Sequence, residues 1–443
     1  MRRKAKYLIM SICPLALMAQ DGRTLELSLK RAVELAISTE GSARVQIAAE
    51  AVKQAQSRST QARAALLPDL EASVSEQSQT RNLDVLGLHF ASPIPGFQFP
   101  TLVGPFNIFD VRATATQNIF DLSSIRRYQA SKAGVHAARS DETAIQDQVA
   151  GQVAKTYLAA LKAEADVEAA NANLNLSQAV LKQAENLKAA GTGTGIEITR
   201  ARVQSANERQ RLLVAENARR RAHLELLRTM GLRLDTALVL TDKLRYTPVD
   251  PVTAEQAQAE AVKSRPDLKA QQRREDNARL ASSATTLERL PSLAGFADYG
   301  SIGSSINHAL PTRTYGLALR VPIFDGGRRD GRRAEASSQF RQERIRTADL
   351  KEQVELDVRL SLDALRSAEQ EVKAADEGLT LAESELAQAQ RRYEAGVASG
   401  LEVTDAQTRL ERARDNQIAA LFNYNQARID LGQATGTIRH MFQ

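Results

Sequence analysis

Glu402 and Asp405 lie three residues apart, a spacing that puts two carboxylates on one helix face. They follow a glycine knot in YEAGVASGLEVTDAQ, residues 393–407. Such a pair can attract cations and repel anions, or simply favour a helix N-terminus, where acids are stabilised. Glu197 holds the matching place in an earlier stretch, with Arg200 and Arg202 close behind to offset its charge. The other usual carriers of chemistry are missing. The five histidines (89, 136, 223, 308 and 440) are scattered, without an HExxH pair, and no GxSxG elbow is present. GTGTG at 191–195 has the glycines of a phosphate loop, but it follows a helical pattern rather than a strand and lacks the lysine. The reading is a non-enzyme without metal or cofactor.

The elements that must position the acids start after a leader. MRRKAKYLIMSICPLALMAQ has a basic start, an apolar stretch from Tyr7 to Met18 and a small Ala19, the pattern of a secretory signal over residues 1–20. The apolar stretch is short for a membrane span. Cys13 is the only cysteine, and Ile12 stands before it where a lipidated cysteine would have a small residue. Without the leader, Lys+Arg falls from 59 to 55 against 53 Asp+Glu, and net charge falls from +6 to +2. A nucleic-acid partner therefore has no electrostatic support.

Proline is absent from 106–247 and from 323–443. Proline costs a helix interior ~3 kcal/mol, so these gaps are where long helices fit. Val354, Val358, Leu362 and Leu365 repeat on one helical face, as do Ile418, Leu421, Phe422 and Ile429. The chain also repeats itself. LPDL at 67–70 returns as LPSL at 290–293, and IFD at 119–121 returns as IFD at 323–325. AGTGTGIEITRA at 190–201 aligns with AGVASGLEVTDA at 395–406, an offset of 205 that also relates Gly231 to Gly436. Two repeats follow, 21–248 and 249–443. Each begins with a helix, over about 28–66 and about 253–289, ended by Leu-Pro at Pro68 and Pro291. Two strands come next, about 68–80 and 110–119, then about 292–302 and 313–323, read from period-two patterns such as Leu70, Ala72, Val74 and Tyr315, Leu317, Leu319. Phe120 and Phe324 close the strands, and Asp121 and Asp325 suit N-caps for the next helix. That helix runs about 70 residues, roughly 105 Å, to the glycine knot, and a return helix completes the repeat.

Between the first two strands lies a Pro/Phe-rich loop, ASPIPGFQFPTLVGPFNIF, suited to a membrane interface. Four strands cannot close a spanning barrel, which needs at least about eight, and open edges cannot face lipid. If these strands span a membrane, several chains share one barrel; three would supply twelve strands.

The chain resembles the TolC-like outer-membrane efflux proteins over essentially all of the sequence after the leader. The resemblance rests on LSLKRAVELA (27–36), AALLP (64–68), PIFDGGRR (322–329) and the tip YEAGVASGLEVTDAQ (393–407). It implies a mostly α fold with a β portion: long helical hairpins form a periplasmic α-barrel, and four strands join a shared 12-stranded β-barrel in a homotrimer. It implies an outer-membrane exit duct reaching into the periplasm, docked to a periplasmic adaptor and an inner-membrane pump. Gly191, Gly195, Gly396 and Gly400 then belong to the docking tips. Glu402 and Asp405, with Glu197, line the aperture, and Tyr393 helps hold it closed, although its usual arginine partner maps to Ala398. The alternative, a periplasmic adaptor, should carry one hairpin between lipoyl-like halves, whereas here the hairpin recurs.

Overall fold

The structure, a computed structural model, describes residues 25–38, 40–87, 96, 100–250 and 252–442. The leader and Phe90, Phe97 and Phe99 of the aromatic loop lie outside the described residues.

A short strand β1 (Leu25–Leu27) leads into α1 (Leu29–Ile37) and α2 (Ala43–Ala64). The continuous helix expected over 28–66 is two helices. The chain doubles back so tightly at Gly41 that an added Cβ would sit 2.4 Å from the Leu35 carbonyl oxygen. Ser42 then restarts the helix, its hydroxyl accepting from the Arg44 N–H at 3.3 Å. The helix expected over 253–289 is also split, into α5 (Ala254–Ser264) and α6 (Pro266–Leu287). Arg265 stands at φ −59°, ψ 119°, outside the helical region as a residue before proline must be, and Pro266 opens the new helix, where its missing N–H costs nothing.

Four strands form one antiparallel sheet in the order β2 (Asp69–Asn82), β3 (Leu102–Phe120), β5 (Ser292–Gly303), β6 (Leu310–Arg320). β3 begins about eight residues earlier than the spacing predicts, taking in part of the aromatic loop. β6 starts and ends three residues early, which leaves Val321 and Ile323 in a connector. The register sets Leu70, Ala72 and Val74 opposite Ala115, Ala113 and Val111. Ala113 meets Tyr299, and Tyr299 meets Arg313. One face is thereby apolar and bare: Leu70, Val74, Tyr315, Leu317 and Leu319 are each about 70–80% exposed. The other face carries a charge cluster in which Arg112 pairs with Asp110 and Asp298 and donates to Thr312 at 3.3 Å. Neither β2 nor β6 has a second neighbour, so both edges of the sheet are open.

The proline-free gaps hold α3 (Leu122–Ala189) and α7 (Arg328–Glu394), of 68 and 67 residues, each returning through a 36-residue partner, α4 (Gly195–Met230) and α8 (Gly400–Thr435). At 1.5 Å per residue the long helices reach ~100 Å. Asp121 is the N-cap of α3, accepting from the Ser123 N–H at 3.0 Å. Asp325 is not an N-cap. That place falls to Gly327 at φ 85°, while Asp325 accepts from the Arg329 N–H at 3.2 Å from just outside the helix.

A third region has no counterpart in the sequence reading. β1 pairs in parallel with β4 (Leu238–Leu240) midway along the hairpins, over a core that includes Val33, Val153, Tyr157, Leu226, Met230 and Ile438. The Tyr157 hydroxyl donates to the Leu27 carbonyl at 2.8 Å and lies 2.9 Å from an Asp242 carboxylate oxygen that also accepts from the Leu29 N–H at 2.7 Å. Burial first, and then Asp242, push this hydroxyl far above the ordinary tyrosine range, so it stays a donor.

Candidate functional site: the two hairpin tips

Both long hairpins reverse through the same backbone pattern. At the first tip the N–H groups of Ala190, Gly191 and Thr192 donate to Asn186, Lys188 and Leu187. At the second, Ala395, Gly396 and Val397 donate to Arg391, Tyr393 and Arg392, each bond displaced by 205 residues. Gly191 stands at φ 81° and Gly396 at φ 73°, a region that favours glycine. A Cβ at either would meet nothing within 4 Å, so these glycines serve the turn and leave open space around it. Gly195 and Gly400 are the first residues of α4 and α8. An added Cβ on Gly400 would touch the Tyr393 ring and hydroxyl at 3.6–3.7 Å, an ordinary contact. Gly193 is a glycine that sequence reasoning passed over: a Cβ there would lie 2.7 Å from the Lys188 nitrogen.

The acids are used differently at the two tips. Glu197 turns back on its own helix start and accepts from the Thr194 N–H at 3.0 Å. That backbone donor above all, helped by the Gly400 N–H of the other tip and by Arg200, holds its carboxyl below the usual range. Glu402 instead forms an ion pair with Arg392, 3.1 Å from Nε. Asp405 is exposed and has no hydrogen bond or ion pair among the described residues. Tyr393 is only 5% exposed. It packs with Val403, Ala406 and Leu410 of α8 and Val180 of α3, and burial, then the charge of Glu197, raise its hydroxyl. Glu197, Tyr393 and Gly400 therefore meet where the two hairpins touch. Glu402 and Asp405 face outward beside them.

A polar layer further up the hairpins gave no signal in the sequence. Glu208 is 2% exposed and accepts from Gln204 at 2.5 Å, and Gln407 is buried next to it. At the opposite ends of the helices, Pro68 and Pro291 stand directly before β2 and β5, and Phe120 is the last residue of β3. Phe324 and Asp325 lie in the β6–α7 connector, with Phe324 88% exposed.

Nothing in this geometry prepares a nucleophile or a proton-transfer pair, and no group of three or more metal-ligating side chains occurs among the described residues. No described helix is long and apolar enough to cross a membrane. Comparison with known proteins gives the same picture. The outer membrane efflux protein family matches residues 38–232 and 258–437. The pyoverdine export outer membrane protein OpmQ of Pseudomonas putida is 27% identical over 402 residues, which cover 88% of this chain and 82% of that protein. Its Pseudomonas aeruginosa counterpart is 26% identical, over 87% and 80%. The Campylobacter jejuni CmeC outer membrane channel superposes with a TM-score of 0.80 at 16% identity, covering 92% of this chain and 85% of that one. CusC superposes with a TM-score of 0.77 at 16% identity, covering 95% of each chain. The chain belongs to the outer membrane efflux protein family, and it is an outer-membrane efflux duct that extends into the periplasm.

Proposed function

We propose that three copies close their four-stranded sheets into one twelve-stranded barrel, continuous with a helical tunnel across the periplasm. The carrying observation is a sheet with one bare apolar face and two open edges. In lipid, such edges must be paired. In this reading residues 1–20 direct export and are removed, and the repeats 21–248 and 249–443 each contribute one hairpin and two strands. Gly191, Gly195, Gly396 and Gly400 offer the tips to a periplasmic adaptor, and an inner-membrane pump supplies the energy. Three copies set six carboxylates, Glu402 and Asp405, around the narrow end, with Glu197 and Tyr393 bracing it. The relatives that export pyoverdine favour a small-molecule cargo. The duct itself needs no cofactor and performs no reaction.

The test is the state of the exported protein. Detergent extracts of outer membranes should contain an SDS-resistant trimer that heat converts to monomer. A folded, water-soluble monomer obtained without detergent overturns the reading.

A further inference from the structure

An open cavity of about 490 Å³ lies between α2 and α3. Arg63 on α2 and Lys132, His136 and Arg139 on α3 line it, together with the hydroxyls of Ser59 and Thr60, and no carboxylate does among the described residues. All four basic side chains are exposed. Lys132 stands over the Tyr128 ring, 4.6 Å from its centroid. Otherwise none of the four has a side-chain hydrogen bond or ion pair among the described residues. Elsewhere on these helices and their neighbour α6, Arg127 pairs with Glu288 and Arg274 with Asp141. Arg63, Lys132 and Arg139 thus share one opening with no counter-charge of their own.

The second repeat shows that the fold does not need these charges. The offset that relates Phe120 to Phe324 puts Ala336, Phe340 and Glu343 in the places of Lys132, His136 and Arg139. The offset that relates Pro68 to Pro291 puts Thr286 in the place of Arg63. There α6 and α7 run side by side without any of the four basic groups, and Glu343 accepts from Gln271 of α6 at 2.7 Å. Like charges that converge without a partner repel. The cluster in the first repeat therefore costs stability unless something outside the chain neutralises it.

We propose that this cavity binds a small soluble anion carrying two or more phosphate groups. The proposal stands apart from the shared-barrel reading. An arginine fork fits phosphate oxygens through paired N–H donors, and lysine adds a compact charge. Arg63 and Arg139 reach the cavity from different helices, so one anion can be held from both sides. The Ser59 and Thr60 hydroxyls add further donors. A bound anion thereby ties α2 to α3, which meet at this level where the Ser131 hydroxyl lies 3.1 Å from that of Ser59. A lipid headgroup fits less well. Val135 is the only aliphatic residue in the described lining, too little for an acyl chain. From Tyr128 to Arg139 the cavity also runs about 9 to 26 Å beyond the start of α3 at Leu122, at 1.5 Å per residue.

The test uses the full chain, exported, extracted in detergent and titrated calorimetrically with inorganic pyrophosphate. The parent chain should bind it. K132Q/R139Q should bind roughly tenfold more weakly or worse, and R63Q, on the other helix, should weaken binding in the same direction. R344Q/K351Q removes the same charge from exposed positions of α7 and should leave binding unchanged. A parent chain that does not bind pyrophosphate overturns the proposal, and so does undiminished binding in K132Q/R139Q or R63Q. Equal weakening in R344Q/K351Q overturns it too, because general charge attraction then explains the binding. If K132Q/R139Q does not fold, R63Q decides. In nanodiscs, phosphatidylglycerol that displaces pyrophosphate overturns the soluble source and gives the site to a lipid headgroup; binding that this lipid leaves intact supports the soluble anion.

Discussion

The two hairpin tips share a backbone and differ in charge. Their turn hydrogen bonds superpose at an offset of 205 residues, and each turn carries a glycine at positive φ. The side chains then diverge. Leu187 stands where Arg392 stands, Lys188 where Tyr393 stands, and Arg200 where Asp405 stands. Glu197 caps its own helix start. Glu402 has Arg392 and pairs with it. Duplication kept the turn because its hydrogen bonds depend on backbone and glycine. The charges were free to change because exposed side chains hold little of the turn's stability. The first tip uses its acid to hold structure, and the second presents acids to the surroundings.

The turn glycines give the largest expected effects. Gly396→Val and Gly191→Val force a β-branched residue into the left-handed region, where an ordinary side chain costs ~1–2 kcal/mol. Each should abolish dye efflux from cells that lack their own ducts while trimers still assemble. Normal efflux in both variants rules out a docking role, and loss in only one shows which tip the adaptor needs. The acids come next. Glu402→Gln with Asp405→Asn should lower cation-over-anion preference several-fold in planar bilayers, whereas Glu197→Gln should leave it nearly unchanged. Equal effects would erase the distinction between the tips.

A smaller effect is expected from the cap. An acid in the first turn of a helix contributes ~0.3–1 kcal/mol, so Glu197→Ala should speed amide exchange at Thr194 by a few-fold. The folded value of Glu197 is depressed. Its contribution is therefore present above the ordinary carboxylate range, near ~4.3, and is lost as pH falls through the lower folded value. Protection at Thr194 that stays constant through that fall would contradict the cap. The smallest effect belongs to Arg392→Gln. An exposed ion pair is worth ~0–1 kcal/mol, so stability should barely move while cation preference rises slightly as Glu402 is released. A fall in cation preference would show that Glu402 does not face the aperture.

Much of the fold was legible because its determinants are local. Proline-free gaps marked α3, α4, α7 and α8, the period-two runs marked all four sheet strands, and the duplicated motifs related the tips. Errors arose where local signals compete. Gly41 lies within otherwise helical sequence and becomes a break where the chain doubles back on the end of α1, whereas Pro266 breaks the helix locally by forcing Arg265 out of the helical region, a signal that the surrounding helical pattern masked. Asp325 has the side chain of an N-cap, yet Gly326 and Gly327 at positive φ carry the helix start past it. The β1–β4 pair was invisible because strands of three residues, more than 200 positions apart, leave no periodicity. Glu208 and Gln407 resemble surface residues in any helical pattern, and their burial depends on which helices flank them.

The sequence by itself determined the elements, the duplication and the glycine turns, because periodicity, proline exclusion and backbone freedom act over a few residues. Only the tertiary structure decided which acid caps a helix, which pairs with arginine and which stands free. It alone brought Glu197 to Tyr393 and Gly400. The meeting of Glu197 with Gly400 joins segments about 200 residues apart, and no local pattern encodes such a distance.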